Sequence, residues 1–510
     1  MLARVRTFTI DGVQPRQVWV EVDIRSGLPA FTIVGLGDTA VRESRDRIRA
    51  AILNSGFEFP ATRITANLAP ASLRKVGPGF DAAIALTVLA ASGQVPSEAL
   101  ASYAVFGELS LGGELRDSPG ALAVAEGAVR EGCARLIVPR QRAREAALVS
   151  GLMIVAVSDL RAAAAVLAGA SPPPLPDAPA QRTANGHPQL EDLADIRGHG
   201  APLLALEIAA AGGHNLLMEG APGTGKTMLA RRLPSILPQL TRSEAIEVTR
   251  IHSVAGLHSG SLIVSRPFRA PHHTISSSGL AGGGAPPRPG EATLAHHGVL
   301  FLDELSEFQR SSLDALRQPL EDGFVTIVRA QRALRLPTRF MLVAATNPCP
   351  CGFAGVGDGD RCTCGEAELR RHRRRLSGPL LDRMDLVIDV QRPSAQELAA
   401  QPATSSSRVR ARVAVARERQ RRRLAATGAR CNGEMEARTV QRLAGIDQDA
   451  EHELARAYGA GVLSARGRHR VLRVARTIAD LGERDRVSRA DVLIALSLRQ
   501  RSAAEAGVAQ

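Results

Sequence analysis

Eight consecutive residues, Gly220-Ala-Pro222-Gly223-Thr224-Gly225-Lys226-Thr227, have the types and spacing of a phosphate cradle. The glycines leave backbone N–H groups unshielded by Cβ atoms, so these can face phosphate oxygens. A helix opening at Lys226 adds the partial positive charge of its N-terminus. In such a cradle Lys226 meets the β- and γ-phosphates of ATP, and Thr227 ligates Mg2+. Lys226 is one of two lysines in the chain, with Lys75, against 62 arginines. A compact ammonium fits between phosphates where a planar guanidinium does not.

Downstream, Val299-Leu-Phe-Leu carries Asp303 and Glu304 at its end. Four apolar residues bury a strand and deliver two carboxylates to the ligand edge of a parallel sheet. Asp303 is expected to hold Mg2+ through water, and Glu304 to orient the attacking water. The next apolar run, FMLVAATN, ends at Asn347, within reach of the γ-phosphate, and Pro348 stops it.

The elements that must position these residues are legible around them. The chain has 510 residues, 45% of them hydrophobic, enough for about three domains of roughly 150 residues each. NLLMEG, VLFLDE and FMLVAATN read as continuous buried strands with helices between them. The fold class is therefore α/β. Residues 1–170 alternate strand-like and helical stretches: RVRTFTI, VWVEVDI and RITANLA as strands, FDAAIALTVLAASG as a buried helix, YAVFGELSLGGEL as a hairpin. Residues 171–188 are a proline-rich linker. Residues 189–393 hold the nucleotide motifs, and 394–510 read as helical only. No run of 18 apolar residues occurs, so no membrane span is expected. Arg4, Arg6 and Asp11 stand where a signal peptide needs an apolar core, which points to the cytoplasm.

The net charge of +13 is unevenly placed. Residues 1–180 carry 18 basic and 17 acidic groups, whereas residues 397–510 carry 22 and 13. Nine arginines lie between Arg408 and Arg430, and Arg370–Arg375 forms a second cluster. Such surfaces bind phosphate backbones without sequence specificity, or else form a solvated helix face. Aromatic residues are scarce, which disfavours base stacking.

Cys349-Pro-Cys351 and Cys362-Thr-Cys364 form two C-x-C pairs. Four thiolates satisfy tetrahedral Zn2+, although C-x2-C is the usual spacing, so structural zinc, surface thiols and a redox role all remain open. His272-His273 and His296-His297 are adjacent pairs. Neighbouring residues on a strand point to opposite faces, so neither pair is a natural two-ligand clamp and polar or packing roles are favoured.

The order GAPGTGKT, VLFLDE, ATNP, SGPLLDRMD and SAR resembles AAA+ ATPases of the magnesium-chelatase branch, and more closely the YifB/ComM family of magnesium-chelatase-like proteins. FRAPHHTISSSGLAGGG, LEDGFVTIVRAQR and VLRVARTIADL support the resemblance, which spans essentially the whole chain. It implies a Lon-protease-like α/β domain, a central P-loop parallel sheet with helices on both faces, and a C-terminal helical lid. It implies that Arg383 acts as an arginine finger in trans and Arg466 as a second sensor arginine in cis or trans, hence a ring, normally a hexamer. LEDGFVTIVRAQR resembles a pore-facing hairpin with Arg329 and Arg332 near its tip as DNA contacts, and residues 254–284 resemble a pore-facing insertion. The family implies ATP-driven DNA branch migration in recombination during natural transformation, with recombination proteins as partners. The alternative is a chelatase-type motor that remodels a protein partner. In the Lon-like segment Lys75-Val-Gly-Pro-Gly79, Gly79 stands where the nucleophilic serine would be, and the partner lysine position falls near Leu122. Proteolysis therefore has no nucleophile. Lys75 itself remains open as a phosphate contact.

Overall fold

The computed structural model describes residues 1–35, 39–73, 75, 77, 79–177, 191–257, 260–284, 287–329, 332–354, 362–375, 378–399 and 402–499. Most of the proline-rich linker, Pro78 of the Gly-Pro turn, part of the 254–284 insertion, Ser377 of SGPLLDRMD and the middle of the segment between the cysteine pairs lie outside them.

The N-terminal part is built on a seven-stranded mixed sheet, with order Ala30–Val34, Arg63–Ala69, Gln14–Arg25, Leu2–Asp11, Tyr103–Val105, Arg135–Pro139, Met153–Val157. Leu2–Asp11 and Gln14–Arg25 pair antiparallel from Leu2↔Asp23 to Asp11↔Gln14. Gly12 closes their two-residue turn at φ +67, a conformation that favours glycine. The helix Asp81–Ala91 is buried along its whole length, as its unbroken apolar composition demands. The expected hairpin over YAVFGELSLGGEL is corrected. Tyr103–Val105 is a wholly buried strand running parallel to Leu2–Asp11 and Arg135–Pro139. Only Glu108–Leu109 and Leu115–Arg116 form a hairpin. A continuous apolar triplet buries both faces, which suits an interior parallel strand.

The central sheet is all parallel, in the order Phe268–Arg269, Val299–Leu302, Met341–Thr346, Leu216–Glu219, Leu386–Asp389. Successive side chains go to opposite faces. Leu216, Met218, Val299, Phe301, Val343 and Ala345 join one apolar core, which continues into the helices after residue 405. Leu217, Leu300, Leu302, Leu342 and Ala344 join a second core with Leu305, Leu313 and Leu380 on the other side. The C-terminal helices thus share a core with the sheet. Val387 N–H also donates to the Leu498 carbonyl at 2.8 Å.

The arginines of the helix Ser406–Leu424 tie it to its neighbours. Arg412 grips Glu207 through two hydrogen bonds, Arg417 donates to the Ala210 carbonyl, Arg419 pairs with Asp485 and Arg423 with Asp480. Beyond the helix, Arg430 contacts Glu244 and Glu434. Much of this basic run is therefore internal wiring, and its charge count overstates the surface open to a phosphate backbone.

The N-terminal sheet docks on the central part through the helix Arg242–Val254. Arg250 pairs with Glu126 at 2.8 Å, and Ser253 Oγ accepts from Gly120 N–H and donates to Glu145. Val13, in the first hairpin turn, packs with Ile251, Leu294 and the hairpin residues Val325 and Leu336.

Candidate nucleotide site

The strand Leu216–Glu219 leads into the glycine turn, and the helix Lys226–Ile236 leaves it. Gly223 and Gly225 take φ of +75 and +92. A Cβ on Gly220 would lie 2.3 Å from the Val390 carbonyl oxygen, so the close approach of the backbone requires glycine there. Thr224 Oγ1 donates to the Ala221 carbonyl at 2.9 Å, and a hypothetical Cβ on Gly352 would sit 2.4 Å from Pro222 Cδ.

Lys226, 8% exposed, donates from Nζ to the Gly220 and Ala221 carbonyls at 2.6 and 2.8 Å and to Asn347 Oδ1 at 3.2 Å. Burial lowers its pKa, opposed by the charges of Asp303 and Glu304. Thr227 Oγ1 donates to Asp303 Oδ2 at 2.7 Å. The hydroxyl and the carboxylate are oxygen donors of the kind that would hold Mg2+. Glu304 follows at φ +52, its N–H donating to Asp303 Oδ1. The strand thus breaks directly after Leu302. Lys226, Thr227, Asp303, Glu304 and Asn347 meet at the C-terminal edge of the parallel sheet, as their order in the sequence required.

Two site neighbours are not singled out by the motifs. His273 Nδ1 lies 3.7 Å from Glu304 Oε2, inside the FRAPHHTISSS stretch. His372 Nε2 hydrogen-bonds the Asn347 carbonyl at 2.9 Å and is buried. It is the one non-arginine in Arg370–Arg375, which was its available signal. Glu304, Asn347, Cys349, Pro350 and His372 line one cavity of about 180 Å3.

Arg383 stands elsewhere. It precedes the strand Leu386–Asp389, which runs parallel to Leu216–Glu219, and its carbonyl accepts from Asn215 Nδ2 at 3.1 Å. Residues before a parallel strand lie at the edge opposite the ligand edge. Arg383 pairs with Glu321. Its pKa is lowered by burial and by the neighbouring charges of Arg317 and Arg466. Arg466 is exposed in the first turn of the helix Ala465–Leu481, which Ser464 caps. The structure therefore gathers the two arginines at the edge of the sheet away from Lys226. With Asp385, Arg417, Arg470 and Arg473, Arg383 lines a cavity of about 700 Å3 between the sheet and the C-terminal helices. Arg329 and Arg332 pair across the end of the hairpin Phe324–Arg329/Arg332–Pro337.

The four cysteines converge. Cys349 Sγ is 3.2 Å from Cys351 Sγ and 3.8 Å from Cys362 Sγ, with Cys351 and Cys362 3.6 Å apart. All four sulfurs lie within 4.8 Å of one another. Zn–S bonds of 2.3 Å in a tetrahedron set S–S edges of about 3.8 Å, so the donor set fits zinc. The short spacing works because Gly352, at φ +88, turns the chain back directly after the first pair.

The expectation that adjacent histidines diverge is corrected, because neither pair lies on a strand. His297 has φ +57, and the His296 and His297 rings are 3.9 Å apart by centroid. Both Nε2 atoms reach Glu247 Oε2, at 3.1 and 2.9 Å. These three residues do not form a metal site. His296 Nδ1 accepts from Arg339 N–H and His297 Nδ1 from the Arg430 guanidinium, each at 3.0 Å. In a neutral imidazole whose Nδ1 accepts, Nε2 carries the proton and has no lone pair for an ion.

In the N-terminal part a Cβ on Gly79 would sit 2.7 Å from the Phe106 ring, and Leu122 is wholly buried. Gly79 lacks room for a serine, and Leu122 offers no base, so no serine–lysine dyad stands here. Lys75 is wholly buried, donating to the Gly35 and Pro70 carbonyls at 2.7 and 2.5 Å. It ties a turn and does not face a phosphate.

Three family matches cover most of the chain: magnesium chelatase, subunit ChlI, over residues 192–398; subunit ChlI of Mg-chelatase over 20–142; and the ChlI C-terminal region over 403–499. An uncharacterized protein of Mycobacterium tuberculosis is 44% identical over 506 residues, 98% of this chain and 99% of that one. YifB of Salmonella typhimurium is 44% identical over 98% of this chain and 97% of its own. The competence protein ComM of Haemophilus influenzae is 42% identical over 96% of this chain and 95% of its own. The chain belongs to the YifB/ComM family of magnesium-chelatase-like proteins. Family membership makes it an AAA+-type ATPase of the ChlI/ComM kind, a class that uses a nucleotide with Mg2+ and typically oligomerises. Among the described residues no helix is long and apolar enough to cross a membrane.

Proposed function

We propose that this chain is a cytoplasmic, ring-forming ATPase, a homo-hexamer that couples ATP hydrolysis to DNA translocation and branch migration in homologous recombination. The observation that carries this reading is the division of the phosphate-handling groups between opposite edges of one sheet. Lys226, Thr227, Asp303, Glu304 and Asn347 stand at the C-terminal edge, and Arg383 at the other. A guanidinium acts on a transferred phosphoryl group only in contact with it. Arg383 and Arg466 therefore serve the ATP of a neighbouring subunit, and a ring supplies every site with a finger.

Within one subunit Gly220–Thr227 wraps the phosphates and Lys226 holds the β- and γ-oxygens. Thr227 and Asp303 hold Mg2+, which supplies charge neutralisation when bound. Glu304 orients the attacking water and accepts its proton, and Asn347 fixes that water against the γ-phosphate. Arg329 and Arg332, at the hairpin end, contact DNA in the pore. Cys349, Cys351, Cys362 and Cys364 hold a structural zinc. The likeness to a protein named for competence supports the link to natural transformation and to recombination proteins as partners.

A second reading, a motor that remodels a protein partner, is favoured by the internal pairing of the Ser406–Leu424 arginines, which leaves less basic surface for DNA. ATP turnover with and without branched DNA, together with branch migration on a synthetic four-way junction, separates the two. The helicase reading requires stimulation by DNA and movement of the junction by the wild type but not by Lys226→Ala. If DNA leaves turnover unchanged and no junction moves, the remodelling reading replaces it.

A further inference from the structure

The four-cysteine cluster lies against the nucleotide site at two points. The first is covalent. Cys349 follows Asn347 by two residues, directly after the strand Met341–Thr346. Cys349 is buried and lines the same cavity as Glu304, Asn347 and His372. Its sulfur also accepts the Ala354 N–H at 3.2 Å, the kind of N–H···S bond that orients a ligating thiolate. The second is a packing contact. Gly352, between the two pairs, sits so close to Pro222 that a Cβ there would come within 2.4 Å of the proline ring. Pro222 is an exposed residue of the phosphate turn.

Both points bear on how the site is held. Asn347 Oδ1 accepts from Lys226 Nζ, and the Asn347 carbonyl is held by His372. The position of Asn347 therefore depends on the chain just beyond it. In the described residues that chain is neither helix nor strand from Asn347 to Gly365. Without regular structure, a segment keeps one conformation only where side chains or ligands over-determine it. Four thiolates on one metal ion would do so, closing the turn around Gly352 and joining Cys349 and Cys351 to Cys362 and Cys364 across the ten intervening positions.

We propose that a zinc ion held by Cys349, Cys351, Cys362 and Cys364 is a positioning element of the nucleotide site, setting Asn347 from behind and bracing the phosphate turn through the Gly352–Pro222 contact. This rests on the zinc reading of the cluster and extends it to control of nucleotide binding and turnover. The ion touches neither ATP nor the attacking water. It acts through where it holds Asn347 and Pro222, so its loss registers in nucleotide affinity as well as in rate.

The test uses the full chain and has three readouts: zinc per chain by metal analysis, affinity for a fluorescent ATP analogue, and ATP turnover. Wild type is expected to carry about one zinc per chain. Cys362→Ser with Cys364→Ser should carry none and bind the analogue at least about tenfold more weakly, in line with losses at supporting residues of a site. Gly352→Ala keeps all four thiols and adds the methyl that meets Pro222; it also strains the turn at φ +88, so its zinc content is measured before its affinity is read. It should retain zinc and still lose affinity. Stripping wild type with a chelator and then restoring zinc should lower and recover affinity in the same sample, a reversal that misfolding would not give. Wild type without zinc overturns the metal reading itself. Wild type with zinc whose stripped form and Gly352→Ala variant both bind the analogue unchanged overturns the positioning role and leaves the metal reading standing.

Discussion

Lys226 Nζ and Asn347 Oδ1 lie 3.2 Å apart although 121 residues separate them in the chain. The hydrogen bond joins the phosphate turn to the end of the neighbouring strand Met341–Thr346, which pairs with Leu216–Glu219 from Leu216↔Val343 to Glu219↔Thr346. The register of two parallel strands therefore sets the distance between Lys226 and Asn347.

That geometry predicts that an arginine at position 226 fails as an alanine does. The ammonium sits among the Gly220, Ala221 and Asn347 oxygens, and a planar fork of five donors does not fit the same space. Lys226→Ala and Lys226→Arg should both lose ATP turnover by about 100-fold or more. Phosphate-release kinetics check it. An active Lys226→Arg would mean that charge alone suffices.

Arg383 at the opposite sheet edge predicts complementation between chains. Arg383→Ala should lower turnover without weakening nucleotide binding, and Glu304→Gln should bind ATP while losing about 10²–10⁴ of the rate. Mixed in equal amounts the two inactive proteins should regain activity, because some interfaces then combine an intact Glu304 with an intact Arg383. Turnover of the mixture no higher than the sum of its parts would place both residues in one subunit's site.

The Glu247 clamp predicts a loss of stability in acid. Burial pushes His296 down to about 4, below the ~6.5 of an unfolded chain. Between those values the unfolded state binds the extra proton, so stability rises with pH across that window. The contribution is complete above about pH 6.5 and disappears as pH falls toward 4, amounting to about 3 kcal/mol. The two histidine donors also hold Glu247 well below the usual carboxylate range, a contribution lost at still lower pH. Unfolding midpoints from pH 4 to 8 should fall on the acid side, and less steeply in His296→Asn. Equal slopes would show that His296 does not carry the effect.

Glu145 is wholly buried where the N-terminal sheet meets the helix Arg242–Val254. It accepts from Leu122 N–H, from Ser253 and from Arg142. Glu145→Ala leaves that polar cluster short of its acceptor and should destabilise the chain by about 3–5 kcal/mol, as breaking a buried ion pair does. Urea unfolding of the full chain measures it. A change under about 1 kcal/mol would mean that Asp117, the other partner of Arg142, carries the pair alone.

The chemistry that depends on neighbours in the chain was legible without coordinates. Gly220–Thr227 acts through its own backbone, and Val299–Glu304 and Met341–Asn347 are short apolar strands ending in polar groups. Their types and order determined the α/β class, the ligand edge and the residues that meet there. What the sequence could not determine was every relation set by packing between distant segments. Strand composition does not reveal sheet order, so the place of Arg383 away from Lys226 emerged only from the pairing of Leu216–Glu219 with Leu386–Asp389. The arginine run after Arg408 looked like a basic surface, because charge counts ignore partners such as Glu207, Asp480 and Asp485 contributed from elsewhere in the fold. His296 and His297 converge because a turn, not a strand, carries them. The contact of Gly352 with the Pro222 ring has no local signal, since close approach of two distant segments is a property of tertiary packing alone.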